Sequence, residues 1–171
     1  SVISVTHVET TPSYNVIPNE VTMQGTIRSY HPIIREQLQQ ELSNVFKIVH
    51  SLGGEYELEI MNGEPVLNNH PVVIKWLENT VKDTLPSFTI HKEPYGLGGE
   101  DFSHMLLQVP GAMFFLGAKK DDRKNGGLHM PRFDINEDAL YYGVAIIGET
   151  VCRYLKGQYT FHEKGEDVHA T

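Results

Sequence analysis

The sequence predicts an α/β and α+β protein with two parts, a small open antiparallel sheet carrying a helix on one face and then part of an α/β domain. The first part contains segments in which apolar and polar residues alternate. A long stretch with apolar residues at helical spacing lies between two of these segments, and a wholly apolar segment follows at 112–116. A continuous apolar segment bounded by turns is typical of a strand covered on both faces. We place the boundary near Leu67, which gives parts at 1–66 and 67–157 and a polar tail, predicted to be disordered, at 158–171.

The first part contains three predicted strands and one predicted helix. Residues 1–8 are rich in β-branched side chains, while 21–28 and 55–60 alternate apolar with polar residues. A helix with proline in its first turn occupies 32–52 and ends at a pair of glycines. An open sheet of this kind leaves an edge strand that a second subunit can pair with.

The second part contains two long predicted helices. One spans 71–85 and ends at a proline, and the other begins after Asn136, a good N-cap residue. The apolar stripe of the second helix recurs at helical spacing and consists of Leu140, Val144, Ile147, Val151 and Leu155. Short strands are predicted at 88–90 and 112–116, and the packed second helix is expected to fix the loop that precedes it.

Composition excludes several classes of partner. A formal net charge of −8 and a pI near 5.5 argue against a phosphate-binding surface, so nucleic acid is not an expected partner. No apolar stretch reaches the roughly 18 residues of a membrane span. Cys152 is the only cysteine, which excludes an internal disulfide, fits a cytoplasmic location and predicts a small buried hydrophobe on the inner face of its helix.

His129 is the candidate for chemistry in the second part. Gly127 before it and Pro131 after it present the imidazole on an extended loop ahead of the last helix. By itself this pattern favours a loop histidine that only hydrogen-bonds its neighbours. One imidazole cannot make a metal site, because structural zinc takes about four ligands and catalytic zinc about three.

Three segments change that interpretation together. They are Asn-Val-Ile-Pro at 15–18 with Gly-Thr-Ile-Arg at 25–28, Gly-Gly-Glu-Asp-Phe at 98–102, and Leu-His-Met-Pro at 128–131. In this order they resemble the aminoacylase/carboxypeptidase family of dinuclear metallohydrolases, specifically its N-acyl-amino-acid amidohydrolase (hippurate hydrolase-like) branch. The residues at 11–14 depart from the glycine-rich lead that is common in that family.

The resemblance implies a role for each candidate residue. His129 would be a ligand of a centre of two divalent ions, zinc or manganese, Arg28 would hold the α-carboxylate of a small substrate, and Asn15 would donate to it or to the scissile carbonyl. Residues 1–66 would be most of a ferredoxin-like lid and dimerisation domain that forms a homodimer, and 67–157 the C-terminal part of the catalytic domain. Without the resemblance, Asn15 is an ordinary turn residue and Arg28 a solvated strand end.

The family's other metal ligands and its general base come from a His-x-Asp segment and a Glu-Glu pair, and neither occurs in this sequence. We therefore expect the C-terminal part of a longer metal-dependent amidohydrolase that hydrolyses an N-acyl amino acid. We expect this chain to hold no catalytic residue, to bind no metal pair and to be inactive alone. A non-catalytic dimerisation module with the family's fold, and a dipeptidase or carboxypeptidase of the same family, stay open as alternatives.

Overall fold

A computed structural model describes residues 1–11, 13–93, 96–120 and 127–161.

The chain divides into two compact units. Unit 1 contains Ser1–Asn68 and Glu93–Leu107, and unit 2 contains Asn69–Lys92 and the chain from Gln108 onward. The sequence-based division differs in one segment, because it assigns 93–107 to the second part. The assignment of lid and catalytic roles to the two parts stays a prediction.

Unit 1 contains a two-stranded antiparallel sheet. Strand β1 is Val2–Glu9 and strand β2 is Thr22–Arg28, paired so that Val2 lies opposite Arg28. The strands approach closely at Gly25, where an added Cβ would lie 2.3 Å from the carbonyl oxygen of Ser4. Only glycine fits this position, so Gly25 fixes the pairing of the two predicted strands.

The helices of unit 1 begin directly after this sheet. Helix α1 is Pro32–Phe46, with the expected proline in its first turn, and α2 is Ile48–Ser51. The single helix predicted for 32–52 is therefore interrupted at Lys47. Helix α1 contacts β2, and most residues of both strands remain exposed in the described chain.

Three predicted strands are wrong. Residues 55–60, 88–90 and 112–116 belong to no ladder within the described part of the chain. A strand needs a neighbour of matching register, which an apolar pattern alone does not supply. At 112–116 the side chain of Asn69 takes the place of a neighbour. Its Nδ2 donates to the carbonyl oxygen of Met113, and its Oδ1 accepts from the amide of Met113, each at 2.8 Å.

Two long helices pack together in unit 2. Helix α3 is Pro71–Thr84 and helix α5 is Asp138–Leu155, while the short helix α4, Phe102–Leu106, belongs to unit 1. Both long helices confirm the sequence prediction to within a few residues. No helix in the described ranges is long and apolar enough to cross a membrane.

Helix α5 packs through a different face from the predicted one. Ala139, Ile146 and Thr150 are its buried residues. The predicted stripe is exposed, with Val144 at 74% and Leu155 at 75% exposure. Cys152 is also exposed, so its predicted burial is wrong. The reason is that α5 is apolar on more than one face, so periodicity does not determine which face packs against α3.

The segment after α5 packs back on α3. The ring of Trp76 stacks on Tyr159 at a centroid distance of 5.6 Å and contacts Phe161 at 4.6 Å. The disordered tail predicted from 158 therefore does not begin there, and the ordered chain extends at least to Phe161. Residues 162–171, the rest of that prediction, lie outside the described residues.

A chain of hydroxyl groups crosses this packing. Thr80 is fully buried, its hydroxyl lies 3.1 Å from the phenol oxygen of Tyr159, and Arg153 donates to the same phenol at 3.2 Å. The Thr80 and Thr150 hydroxyls are 3.0 Å apart, and Thr150 donates to the carbonyl of Ile146 at 2.7 Å. Burying a polar group without a hydrogen-bond partner costs free energy, so these hydrogen bonds between hydroxyl groups stabilise the contact between α3 and α5.

Tyr159→Phe tests that contribution, because it keeps the stacked ring and removes the hydroxyl between Thr80 and Arg153. We expect the free energy of unfolding to fall by about 1 kcal/mol. Trp76, the only tryptophan, reports urea unfolding by its fluorescence. Tyr141→Phe is the control, since that side chain is 76% exposed. Equal stability of the two variants would contradict the assignment.

Candidate functional site

His129 lies on a tight turn in unit 2. The amide of Met130 donates to the carbonyl oxygen of Gly127 at 3.1 Å, and the amide of Phe133 donates to that of Met130 at 3.0 Å. His129 has φ 65°, which makes it the one non-glycine residue with positive φ in the described ranges. Its side chain is exposed. A left-handed conformation costs an L-residue free energy, and such residues concentrate at functional sites.

The chain on either side of this turn is fixed to the rest of unit 2. The amide of Asn136 donates to the carbonyl of Ala118 at 2.8 Å, and its Oδ1 accepts from the amide of Asp138 at 3.0 Å. The N-cap of α5 is Glu137, which makes no side-chain capping bond, so the N-cap predicted at Asn136 is displaced by one residue. An ion pair of 2.5 Å joins Lys120 to Asp134. This ion pair links the chain that follows the apolar segment 112–116 to the chain that follows the turn.

Asp134 is the titrating group in this closure. The hydrogen bond from Lys120 lowers the pKa of the Asp134 carboxyl below its usual range, and the amide of Ile135, at 2.9 Å, lowers it further. The ionised carboxylate is therefore favoured in the folded loop. The pair lies in solvent, so salt screens it.

Metal binding needs more ligands than this turn offers. No group of three or more His, Cys, Asp or Glu side chains in the described ranges is arranged to hold an ion. His129 fits such a centre as one exposed imidazole on a fixed loop, and a complete centre needs about two or three further protein ligands.

An apolar groove lies beside the same helix. It has a volume of about 570 Å³ between the segment around Leu116 and the exposed face of α5, with Ile135 and Val144 among its lining residues. The described residues that line it include no ionisable group, so they supply neither metal ligands nor proton transfer.

Asn15 and Arg28 lie in unit 1. Asn15 is exposed on the loop between β1 and β2, where its Oδ1 accepts from the hydroxyl of Ser13 at 2.7 Å. Arg28 ends β2 and donates through Nη1 to the carbonyl oxygen of Leu97 at 2.9 Å. Both side chains are on the surface, but neither contacts the other, and His129 belongs to the other unit.

The glycine-rich segment at 98–102 also lies in unit 1. The carbonyl oxygen of Glu100 accepts from the amide of Ser103 at 3.1 Å, and Asp101, the N-cap of α4, makes no side-chain capping bond. His104, on α4, has its Nε2 2.5 Å from Oε2 of Glu64.

One residue that the sequence did not single out is Tyr30. Its hydroxyl donates to the carbonyl oxygen of Gly96 at 3.0 Å, directly beside the bond from Arg28 to Leu97. The two-residue spacing of Arg28 and Tyr30 is the only signal in the sequence that could have grouped them.

Comparison with known proteins gives a family match over most of the chain. Residues 3–153 match the model of peptidase family M20/M25/M40. The chain is 38% identical over 144 residues to the probable hydrolase sll0100 of Synechocystis sp., covering 82% of this chain and 36% of that relative. It is 31% identical over 160 residues to the IAA-amino acid hydrolase ILR1-like 2 of Arabidopsis thaliana, covering 91% and 36%.

A solved structure agrees with these matches. The YXEP protein of Bacillus subtilis, described as a dinuclear metal binding peptidase from the M20 family, superposes with a TM-score of 0.73 at 26% identity. The match covers 91% of this chain and 42% of that one. It confirms the expected fold class, a partial α/β protein with a small antiparallel sheet. The chain spans 36% of the length of the curated relatives described above.

The strain at position 129 can be measured by comparing His129→Gly with His129→Ala. Glycine adopts positive φ without penalty, so we expect His129→Gly to be more stable than His129→Ala by about 1 kcal/mol. At Leu128, where φ is negative, alanine should be the more stable of the same two substitutions. Urea unfolding measures both pairs, and an alanine variant at 129 as stable as the glycine variant would contradict a left-handed His129.

The Asp134 carboxyl should make closure of the turn depend on pH. Because its folded pKa is lowered, its contribution is present above the usual carboxyl range, near pH 4, and is lost as pH falls through the folded pKa. As the pH falls from about 4 through the folded pKa of Asp134, hydrogen exchange at the amides of Met130 and Phe133 should become faster relative to the intrinsic exchange rates.

Asp134→Asn should remove this pH dependence, because the amide still accepts from Ile135 but does not titrate. Glu137→Gln, at an exposed position nearby, is the matched control and should retain it. If hydrogen exchange in Asp134→Asn still accelerates at low pH, groups other than Asp134 cause the pH dependence of the turn.

Proposed function

Because this chain belongs to peptidase family M20/M25/M40, we propose that it is the C-terminal part of a longer metal-dependent amidohydrolase. Membership confirms the resemblance inferred from the three sequence segments, whereas the activity of the whole protein is our proposal. The substrate we propose is an N-acyl amino acid or a similar small amide. The reaction is hydrolysis of its amide bond.

The left-handed turn at His129 is the observation that carries this proposal. The turn presents an imidazole to solvent at a strained backbone angle, and hydrogen bonds at Asn136 fix the chain that follows it. Positive φ is uncommon for a residue other than glycine, and residues held at such angles concentrate at functional sites, which supports a functional role for His129. We assign His129 as one ligand of a centre of two divalent ions, zinc or manganese.

The proposed division of labour leaves this chain with binding and orientation. When bound, the ions supply Lewis-acid activation of a water molecule. His129 holds one of them. Arg28 binds the carboxylate of the substrate with parallel hydrogen bonds, and Asn15 donates to that carboxylate or to the scissile carbonyl. The general base is expected outside this chain, so we assign no catalytic residue within it.

The comparisons support the substrate class by analogy. The Arabidopsis relative is named as an IAA-amino acid hydrolase, and that name describes cleavage of an amide of an amino acid. The exposed Arg28 supplies the cation that the free carboxylate of such a substrate needs. The acyl group and the amino acid stay open.

We further propose a homodimer formed through the 1–66 region and a cytoplasmic location. Valines on the sheet support the dimer, because Val5 is 62% exposed and Val8 57% exposed on β1. The single cysteine fits a reducing compartment. The net charge of −8 favours a small substrate over nucleic acid.

A peptidase of the same family is the second candidate. The Bacillus subtilis neighbour is described as a peptidase, and a carboxypeptidase or dipeptidase also needs a cation for a terminal carboxylate. The two candidates differ in the group on the other side of the scissile amide, an acyl chain or an amino acid residue. A third, non-catalytic possibility is a dimerisation module that keeps the fold.

The activity test uses the purified chain and the full-length protein side by side. With zinc or manganese added, we expect the chain alone to release no glycine from N-benzoylglycine, because it offers one metal ligand. In the full-length protein, His129→Ala should lower turnover by at least about a hundredfold and reduce bound metal. Leu128→Ala is the matched control and should retain both.

Turnover by the chain alone would show that the active site has been misplaced. Faster hydrolysis of dipeptides than of N-benzoylglycine by the full-length protein would favour the peptidase. A full-length protein that binds no metal would favour the non-catalytic module.

A further inference from the structure

The corner between β2 and α1 presents two side chains to the same segment. Ser29 holds this corner, because its hydroxyl oxygen accepts from the amide of His31 at 3.1 Å and its hydroxyl lies 3.1 Å from the carbonyl oxygen of His31. Arg28 and Tyr30 lie on either side of Ser29, and both side chains reach the segment at 96–97.

Both side chains donate to consecutive carbonyl groups. Tyr30 donates to the carbonyl oxygen of Gly96 at 3.0 Å, and Nη1 of Arg28 donates to that of Leu97 at 2.9 Å. The backbone of Gly96 has φ 129°, an angle that side chains rarely adopt, and a Cβ there would meet nothing within 4 Å. The two donors therefore act on a loop that contains a glycine at a backbone angle other residues rarely adopt.

The bond to Leu97 leaves a defined part of the guanidinium available. Among the described residues, Leu97 is the hydrogen-bond partner of Arg28, which commits Nη1 and leaves Nε and Nη2 as a pair of parallel donors. A carboxylate binds such a pair through two hydrogen bonds. A guanidinium already held in one plane loses less conformational freedom on binding.

We propose that Tyr30 is a positioning residue for carboxylate recognition by Arg28. Tyr30 fixes the carbonyl group of Gly96, and the adjoining carbonyl group of Leu97 is fixed with it. The Leu97 carbonyl oxygen then holds the Arg28 guanidinium so that Nε and Nη2 face the carboxylate. This inference rests on the proposed function, in which Arg28 binds the carboxylate of the substrate.

The test measures binding of N-benzoylglycine to the purified chain, followed by the Nε–Hε signal of Arg28 in NMR titrations. The methyl ester of the same compound lacks the carboxylate and should cause no shift of that signal. Tyr30→Phe removes the bond to Gly96 and keeps the ring, so we expect roughly three- to tenfold weaker binding, as for loss of one net hydrogen bond. Tyr141→Phe, at an exposed position in unit 2, should bind like the wild type.

A second pair of variants reaches the same loop without altering either donor. Gly96→Ala strains the backbone at φ 129° and should weaken binding in the same direction as Tyr30→Phe. Gly98→Ala is its matched control, because Gly98 lacks a positive φ and has nothing within 4 Å of an added Cβ. Unchanged amide shifts in β1 and β2 would show that a variant is folded.

Three results would overturn the proposal in distinguishable ways. If Arg28→Ala abolishes the carboxylate-dependent shift while a folded Tyr30→Phe binds like the wild type, Tyr30 does not position Arg28 and the proposed role of Arg28 survives. If Arg28→Ala binds as well as the wild type, the role of Arg28 itself fails. If the wild type shows no difference between acid and ester, both assignments fail.

Discussion

The functional account depends on one backbone constraint, the positive φ of His129. The residue is exposed, and hydrogen bonds on the C-terminal side of the loop fix its backbone. Asn136 fixes the C-terminal side of the loop through Ala118 and the start of α5, while Lys120 and Asp134 close it by an ion pair. A polar loop contributes little stability of its own, so its precision comes from the helix and the extended segment that it joins.

Helix α5, which follows the His129 loop, has both buried and exposed apolar residues. The buried residues of the helix are Ala139, Ile146 and Thr150, while most of its other large apolar residues are exposed within the described chain. A helix with apolar residues on more than one face is typical of the interior of a larger domain. The chain covers 36% of the length of the two curated relatives described above.

The sequence predicts the elements that rest on local chemistry. Proline in the first turn marks the starts of α1 and α3, and Asn136 marks the start of α5. The errors concern long-range partners. Residues 55–60 and 112–116 have the pattern of strands, but a ladder depends on a neighbour that the pattern does not specify. The residues of the candidate site likewise include some that the sequence predicts and some that depend on long-range contacts. Asn15, Arg28 and His129 come from family motifs, whereas the bond from Tyr30 to Gly96 links positions far apart in the chain.

Anomalous diffraction from crystals of the full-length protein grown with zinc shows whether His129 binds metal. We expect a ring nitrogen of His129 about 2.0–2.1 Å from one of two metal peaks, with the left-handed backbone retained. A metal centre whose ligands do not include His129, with that imidazole in open solvent, would contradict this expectation.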